Sequence, residues 1–428
     1  MDKQFKKYII FWLSQSVSQL GSAMTSFALI LWVYTVKHSA FTLSMMSFCN
    51  YVPYIIVSLF AGTFVDTHSK KKIMLVSDSI AAMCTVSIFI MWSSGSLQIW
   101  HIYIVNAIIG FMNAFQSPAS SVAIGKMVPK EKLANVSGMN SFSGNMISVF
   151  TPVIASFLFA LSGLKAVLLI DMISFVFAFL ILLLVISIPE DEVKPGNKIS
   201  AFAGCKEGYR FLLEHKAILM IVLTMALINF LSRLTYENIL SPMVLSRSGD
   251  DSVALGIVNA VMGIGGIIGG IIVSAGKMSK DNIKTIYFSA ALSFLLGDLL
   301  MGAGRNVVFW SIAGMAASLP IPFINAAQNV ILYGTVPEEM QGRIFAVRNA
   351  IQYSTIPAGI LLGGFLADYV FEPYMQKENA LTSLLHGIVG EGSGSGMAVM
   401  FLCTGILGSM FCVICYLRLK KYREEMKL

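Results

Sequence analysis

Apolar residues fall into twelve long runs separated by short polar breaks, at approximately 8–34, 41–65, 73–93, 98–119, 137–161, 165–189, 217–241, 252–276, 284–304, 306–334, 346–371 and 397–417. Each run has about 20 residues or more, enough for a helix to cross a hydrocarbon layer of roughly 30 Å. Helices are expected, because an open strand would leave its backbone polar groups unpaired in lipid. The pattern therefore predicts an all-α integral membrane protein of twelve transmembrane helices. Its long polar connection lies midway, which divides the chain into an N-terminal six-helix bundle at 1–189, a cytoplasmic linker at 190–216 and a C-terminal six-helix bundle at 217–428.

The positive residues orient the spans. With the N-terminus inside, the inner segments hold 24 of the 30 Lys and Arg, Arg343 and Arg348 among them. Lys37, Lys165, Arg247, Arg305 and Lys377 fall outside and Arg233 lies within a run. That asymmetry places both termini in the cytoplasm. The first run is too long for a signal-peptide core and shows no small-residue cleavage pattern before Lys37, so it is read as helix one.

An internal repeat divides the chain at the same place. Asn113-Ala114-Phe115-Gln116 recurs as Asn325-Ala326-Ala327-Gln328, and Val128-Pro129-Lys130-Glu131 as Val336-Pro337-Glu338-Glu339, at offsets of 212 and 208. Each pair is followed by a helix expected to be broken by proline, Pro152 and Pro357, at an offset of 205. Three ordered matches near the halfway offset mark two parallel six-helix repeats. A transporter built this way holds its solute near the midplane between the repeats. In the linker, a Pro195-Gly196-Asn197 turn leads into Ile199, Phe202, Tyr209, Leu212 and Leu213, opposed by Lys206, Glu207, Arg210 and Glu214. This reads as an amphipathic helix lying at the membrane interface.

Composition narrows the function. Of 428 residues, 56% are hydrophobic and only 12% charged, with a mean hydropathy of +0.75. A soluble protein carries about twice that charge, so most soluble enzymes are excluded. The net charge of +7 sits in short interhelical clusters without interleaved aromatics, which excludes a nucleic-acid partner. The five histidines form no metal spacing and no cofactor motif is present. Cys412-x-x-Cys415, inside the last run, reads as lipid-facing filler and not as a redox pair. The run Gly263-Ile264-Gly265-Gly266-Ile267-Ile268-Gly269-Gly270 fails as a dinucleotide loop, since Ile268 stands at the third glycine position and no strand precedes it. Gly265 and Gly269 are instead expected to let helices pack closely.

Gly62-Thr63-Phe64-Val65-Asp66-Thr67-His68-Ser69-Lys70-Lys71-Lys72-Ile73 resembles the signature between helices two and three of the major facilitator superfamily: a Gly, an Asp four residues later, then a basic cluster. The closer resemblance is to the macrolide-efflux branch, carried by Ser18-Gln19-Leu20-Gly21-Ser22, by Phe175 after Asp171, and by Val336-Pro337-Glu338-Glu339 with Gly342-Arg343-Ile344-Phe345. The resemblance implies a gate in which Asp66 caps the start of helix eleven near Arg343. Physically, Gly62 would let two helices approach, Asp66 would favour a positive helix N-terminus, and Lys70, Lys71 and Lys72 would hold the turn at anionic headgroups. The exporter glycines of helix five are missing from Thr151-Pro152-Val153-Ile154-Ala155-Ser156, although Pro152 and the small residues remain. Where the family often has an arginine four residues before a glycine in helix four, this chain has Asn106 before Gly110.

Ionisable residues inside spans cost about 2.5–3.5 kcal/mol at the bilayer centre, so those present ask for a role. Asp171, Arg233, Glu237 and Asp298 are the candidates. Arg233 and Glu237, four apart, share a helix face, as a structural bridge or as a protonation or substrate site. Asp171 and Asp298 have no basic neighbour one turn away, which suits reversible protonation. Polar cavity candidates are Gln15, Gln19, Asn106, Asn113, Gln116, Asn229, Tyr236, Asn325 and Gln328.

These observations predict a proton-coupled exporter of amphipathic small molecules in the cell membrane, working by alternating access. A path inside one chain requires no oligomer. Uptake, or lipid or siderophore transport, on the same fold is the alternative. A scaffold or sensor would gain little from the intramembrane charges.

Overall fold

The computed structural model describes residues 3–128, 132–188, 201–276, 279, 281–337 and 340–419, and is helical throughout them apart from turns and short connections. The first six helices are α1 (Lys3–Lys37), α2 (Ala40–Thr67), α3 (Lys70–Ser93), α4 (Ile99–Met127), α5 (Leu133–Ser162) and α6 (Leu164–Leu184). After α7 (Ala201–Glu214) come α8 (Lys216–Thr235), α9 (Leu240–Ser248), α10 (Ser252–Ser274) and α11 (Asn282–Leu292). A π-helical stretch at Ser293–Asp298 runs on into α12 (Leu299–Ala303), followed by α13 (Val307–Ser318), α14 (Ile321–Thr335) and α15 (Gln341–Leu366). A second π-helical stretch at Ala367–Phe371 joins α16 (Glu372–Met375), and α17 (Ala380–Val389) and α18 (Ser395–Leu419) end the described chain.

Local signals account for the boundaries. Ser69 caps α3 by accepting from the Lys72 amide, and Asp251 and Asp281 cap α10 and α11 in the same way, each satisfying an orphan N–H. Gly163 alone separates α5 from α6, at φ +62°, a conformation that glycine adopts without strain. Pro152 and Pro357 were expected to break their helices, but α5 and α15 run through them unbroken. Pro320, in contrast, does coincide with an interruption, between α13 and α14.

Eleven helices are long and apolar enough to cross a membrane among the described residues. The twelfth expected span, α4, has 29 residues but is more polar, because Asn113, Gln116, Ser117, Ser120 and Ser121 all line a cavity. The molecule is apolar on its outside as well: Ile173, Leu161 and Leu184 stand exposed on their helices. Lipid, not water, suits such a surface.

The chain forms two compact units, Met1–Val36 with Met45–Lys198, and Lys37–Ser44 with Ile199–Leu428. In the first, Phe5, Tyr8, Met74, Ala123 and Leu182 belong to a common core. In the second, Ile221, Ile286, Phe294 and Ile331 do. Cys412 and Cys415 lie in this second core and not against lipid, a correction explained by their position on the inner face of α18, beside α11. The linker helix divides its apolar positions. Phe211 and Leu212 of α7 pack into a core with Ile218, Leu332 and Ile344, while Tyr209 and Leu213 remain exposed. The helix is thus seated on the C-terminal unit by two of its apolar positions. Residues 189–200, with the Pro195-Gly196-Asn197 turn, lie outside the described residues.

Candidate functional site

Each unit holds a polar-lined cavity. The N-terminal one, of about 480 Å³, is lined by Gln15, Gln19, Asn113 and Gln116, all four expected from the sequence, together with Trp12, Asn140 and Ser143. Its walls are tied by hydrogen bonds. Tyr8 donates to Asn140 at 3.2 Å, Ser143 donates to Ser16 at 2.7 Å, and Gln116 Nε2 donates to Asp78 Oδ1 at 2.5 Å. Asp78 was not among the expected residues. It lies near the start of the third apolar run, eight positions after Lys70.

Asn106 belongs elsewhere. Its Nδ2 donates to Ile102 O at 2.9 Å, and its own carbonyl accepts from Asn50 Nδ2 at 3.2 Å. Nearby, a Cβ at Gly110 would collide with the Asn50 backbone. Asn106 and Gly110 therefore serve the close packing of α2 against α4.

Asp171 is buried, at 4% exposure, and is held by three hydroxyls. Ser22 donates to one oxygen at 3.0 Å, while Thr25 and Thr85 donate to the other at 2.9 and 3.0 Å. Helices α1, α3 and α6 meet on this carboxylate. Gly21 makes the approach possible, since a Cβ there would lie 3.1 Å from Asp171 Cα and strike Ser174 Oγ. Asp171 lines neither unit's cavity.

The basic turn is anchored in protein. Lys71 Nζ donates to Leu183 O at 2.9 Å and to Ile186 O at 2.7 Å, satisfying carbonyls left open at the end of α6. Lys70 is buried and Lys72 exposed, so only part of the cluster is placed for headgroups. A Cβ on Gly62 would meet nothing within 4 Å among the described residues, so no close approach is made there. The side chains of Asp66 and Arg343 lie outside the described residues.

The C-terminal cavity, of about 650 Å³, collects Asn229, Arg233, Tyr236, Asp298, Asn325 and Gln328 from the expected set. Arg233, in the last turn of α8, pairs with Glu237 just beyond it. Asp298 is wholly buried at the end of the π-helical stretch, an irregularity often found at functional positions. Its Oδ2 accepts from Thr404 at 2.6 Å. Tyr236 lies beside it, and the Tyr236 hydroxyl and Asp298 Oδ1 both lack a well-formed hydrogen bond. Gly265 and Gly269 of α10 face Ser318 and the Leu319 carbonyl so closely that a Cβ at either would collide. Arg348 and Gln352 complete the lining. Arg348, one of the positive charges that orient the chain, stands two turns inside α15.

The family model described as the Major Facilitator Superfamily matches residues 11–360. The chain is similar to Macrolide efflux protein A of Streptococcus pyogenes, 26% identical over 373 residues, covering 85% of this chain and 90% of that protein. It is also similar to the Multidrug efflux pump Tap of Mycolicibacterium fortuitum, 22% identical over 366 residues, 81% of this chain and 86% of that one. In fold it is similar to a bacterial homologue of the human lysosomal transporter Spinster, with a TM-score of 0.69 at 12% identity, over 100% of this chain and 99% of that one.

Proposed function

The chain belongs to the Major Facilitator Superfamily, a multi-pass membrane transporter of small molecules, and from that premise we propose that it is a proton-coupled exporter of amphipathic compounds. One observation carries the coupling: Asp298, a wholly buried carboxylate, lines the same cavity as Arg233, which pairs with Glu237. A carboxylate there alternates between charged and neutral forms only if a proton accompanies it, which links the cavity to the proton gradient. The relatives named for macrolide and multidrug efflux support export as the direction and drug-like amphipaths as the cargo. Export of antibiotics would then raise a cell's tolerance of them. Both termini lie in the cytoplasm on the charge asymmetry, and alternating access between the two repeats moves the substrate. The gate residues Asp66 and Arg343 keep the role that the resemblance gave them, whereas Gly62 makes no close approach among the described residues.

Inverted membrane vesicles test this directly. A fluorescent amphipathic dye accumulates in the lumen when the lumen is made acidic, and a protonophore abolishes the accumulation. Accumulation indifferent to the gradient overturns the coupling, and none under any gradient overturns export.

A further inference from the structure

One wall of the C-terminal cavity holds hydrogen-bond donors without partners. Helix α15 places Arg348 and Gln352 one turn apart, and α14 contributes Gln328 and Asn329, residues four apart on a helix sharing a face. The Arg348 guanidinium donates to Asn349 Oδ1 from Nε at 3.1 Å and from NH2 at 2.8 Å, and reaches Asn329 Oδ1 from NH1 at only 3.5 Å. It stands 5.2 Å from the Phe345 ring centroid. No carboxylate pairs with it among the described residues. Gln328 and Gln352 are each 5% exposed, and the Nε2 of each has no hydrogen-bond partner. A guanidinium offers donors only, and buried amide donors left unpaired destabilise the site that contains them. The cavity's own carboxylate, Asp298, does not answer this need, since it accepts from Thr404, and Glu237, outside the lining, pairs with Arg233.

We propose that Arg348, Gln328 and Gln352 form a subsite for a carboxylate group, so that the transported amphipath carries an acidic head which is held here. This rests on the transporter reading above. The guanidinium fork matches two carboxylate oxygens, and the two amides satisfy the lone pairs that remain. An ammonium head meets like charge at Arg348 and leaves the two unpartnered amide N–H groups unanswered.

The test uses the full chain in lipid nanodiscs and three ring-matched probes: 1-naphthylacetate, 2-(1-naphthyl)ethanol and 2-(1-naphthyl)ethylamine, titrated calorimetrically with empty nanodiscs subtracted. The acid is expected to bind about tenfold more tightly than the amine, with the alcohol between them. Arg348→Gln removes that preference by weakening the acid alone, Arg348→Lys retains part of it, and Gln352→Leu weakens the acid about threefold. Should Arg348→Gln fail to fold, the order of the three probes on the unaltered protein decides. Equal or tighter binding of the amine, binding of no probe, or a preference that survives Arg348→Gln overturns the subsite. Gradient-driven dye accumulation without acid preference leaves the exporter standing and removes only the subsite. Acid preference without such accumulation does the reverse.

Discussion

Asp368 closes the start of α2 at Phe41: its Oδ2 accepts from the Phe41 amide at 2.9 Å and from the Ser39 hydroxyl at 2.6 Å, while Oδ1 accepts from the Ala40 amide at 3.1 Å. A carboxylate borrowed from the π-helical stretch after α15 thus satisfies N–H groups that the first turn of α2 leaves open, where the helix dipole favours negative charge. Gly364, one turn earlier, has no room for a Cβ, which would lie 2.9 Å from Phe41 Cα and strike Ser44. The cap and the close approach explain why Lys37–Ser44 belongs to the C-terminal unit.

Asp368→Asn keeps one acceptor but loses the charge and one amide contact. It is expected to lower stability by about 1 kcal/mol, and to speed maleimide labelling of a cysteine introduced at Thr42. Unchanged melting together with unchanged labelling would show that the cap does not hold this turn.

Asp171 serves as an acceptor at the junction of three helices and not as a cavity group. Asp171→Leu strands the hydroxyls of Ser22, Thr25 and Thr85 and is expected to cost about 1–3 kcal/mol, read as a lower midpoint of thermal unfolding. The surviving protein should still drive dye uphill on a pH gradient. Loss of uphill transport at normal expression would return the coupling role to Asp171.

What the sequence disclosed followed from rarity and period. Long apolar runs mark helices because lipid permits little else, and Asp171 and Asp298 stood out because carboxylates seldom lie within such runs. Four polar residues of the N-terminal cavity were legible for the same reason. The failures have equally physical causes. Asp78 and Arg348 lie near span ends, where a charge reads as part of the loop, although one binds Gln116 and the other lines the C-terminal cavity. Asn106 is as polar as Asn113, but only the fold reveals that it packs against Asn50. The π-helical turns that place Asp298 and Asp368 leave no mark in residue spacing, because a single widened turn shifts the helical phase without changing the composition.

The Arg233–Glu237 pair is half-buried at a helix end, so each partner is more costly alone than the two are together. Arg233→Gln and Glu237→Gln should each lower the unfolding midpoint, and the double variant should recover part of the loss. The expected coupling is about 1–2 kcal/mol, reduced from a fully buried case because both side chains retain some exposure. Additive losses in the cycle would mean that the two residues act separately.

The remaining prediction concerns Asp298, on which the proposed energy coupling rests. Thr404 holds one carboxylate oxygen and leaves the other unpaired beside the Tyr236 hydroxyl, so a proton can be carried on the free oxygen without dismantling the site. Asn is nearly isosteric and retains an acceptor for Thr404, but it cannot take up and release a proton as a carboxylate does. Asp298→Asn should therefore abolish accumulation driven by an acidic vesicle lumen while sparing downhill exchange of the same dye, and the remaining transport should no longer vary with pH. Tyr236→Phe removes the neighbouring hydroxyl without touching the carboxylate, and should alter the pH dependence while leaving uphill transport in place. If Asp298 only fastens its helix to α18 through Thr404, Asp298→Asn will lower the unfolding midpoint and keep its gradient response. That result would move the coupling assignment to Asp78, the half-buried carboxylate bonded to Gln116 at the wall of the N-terminal cavity.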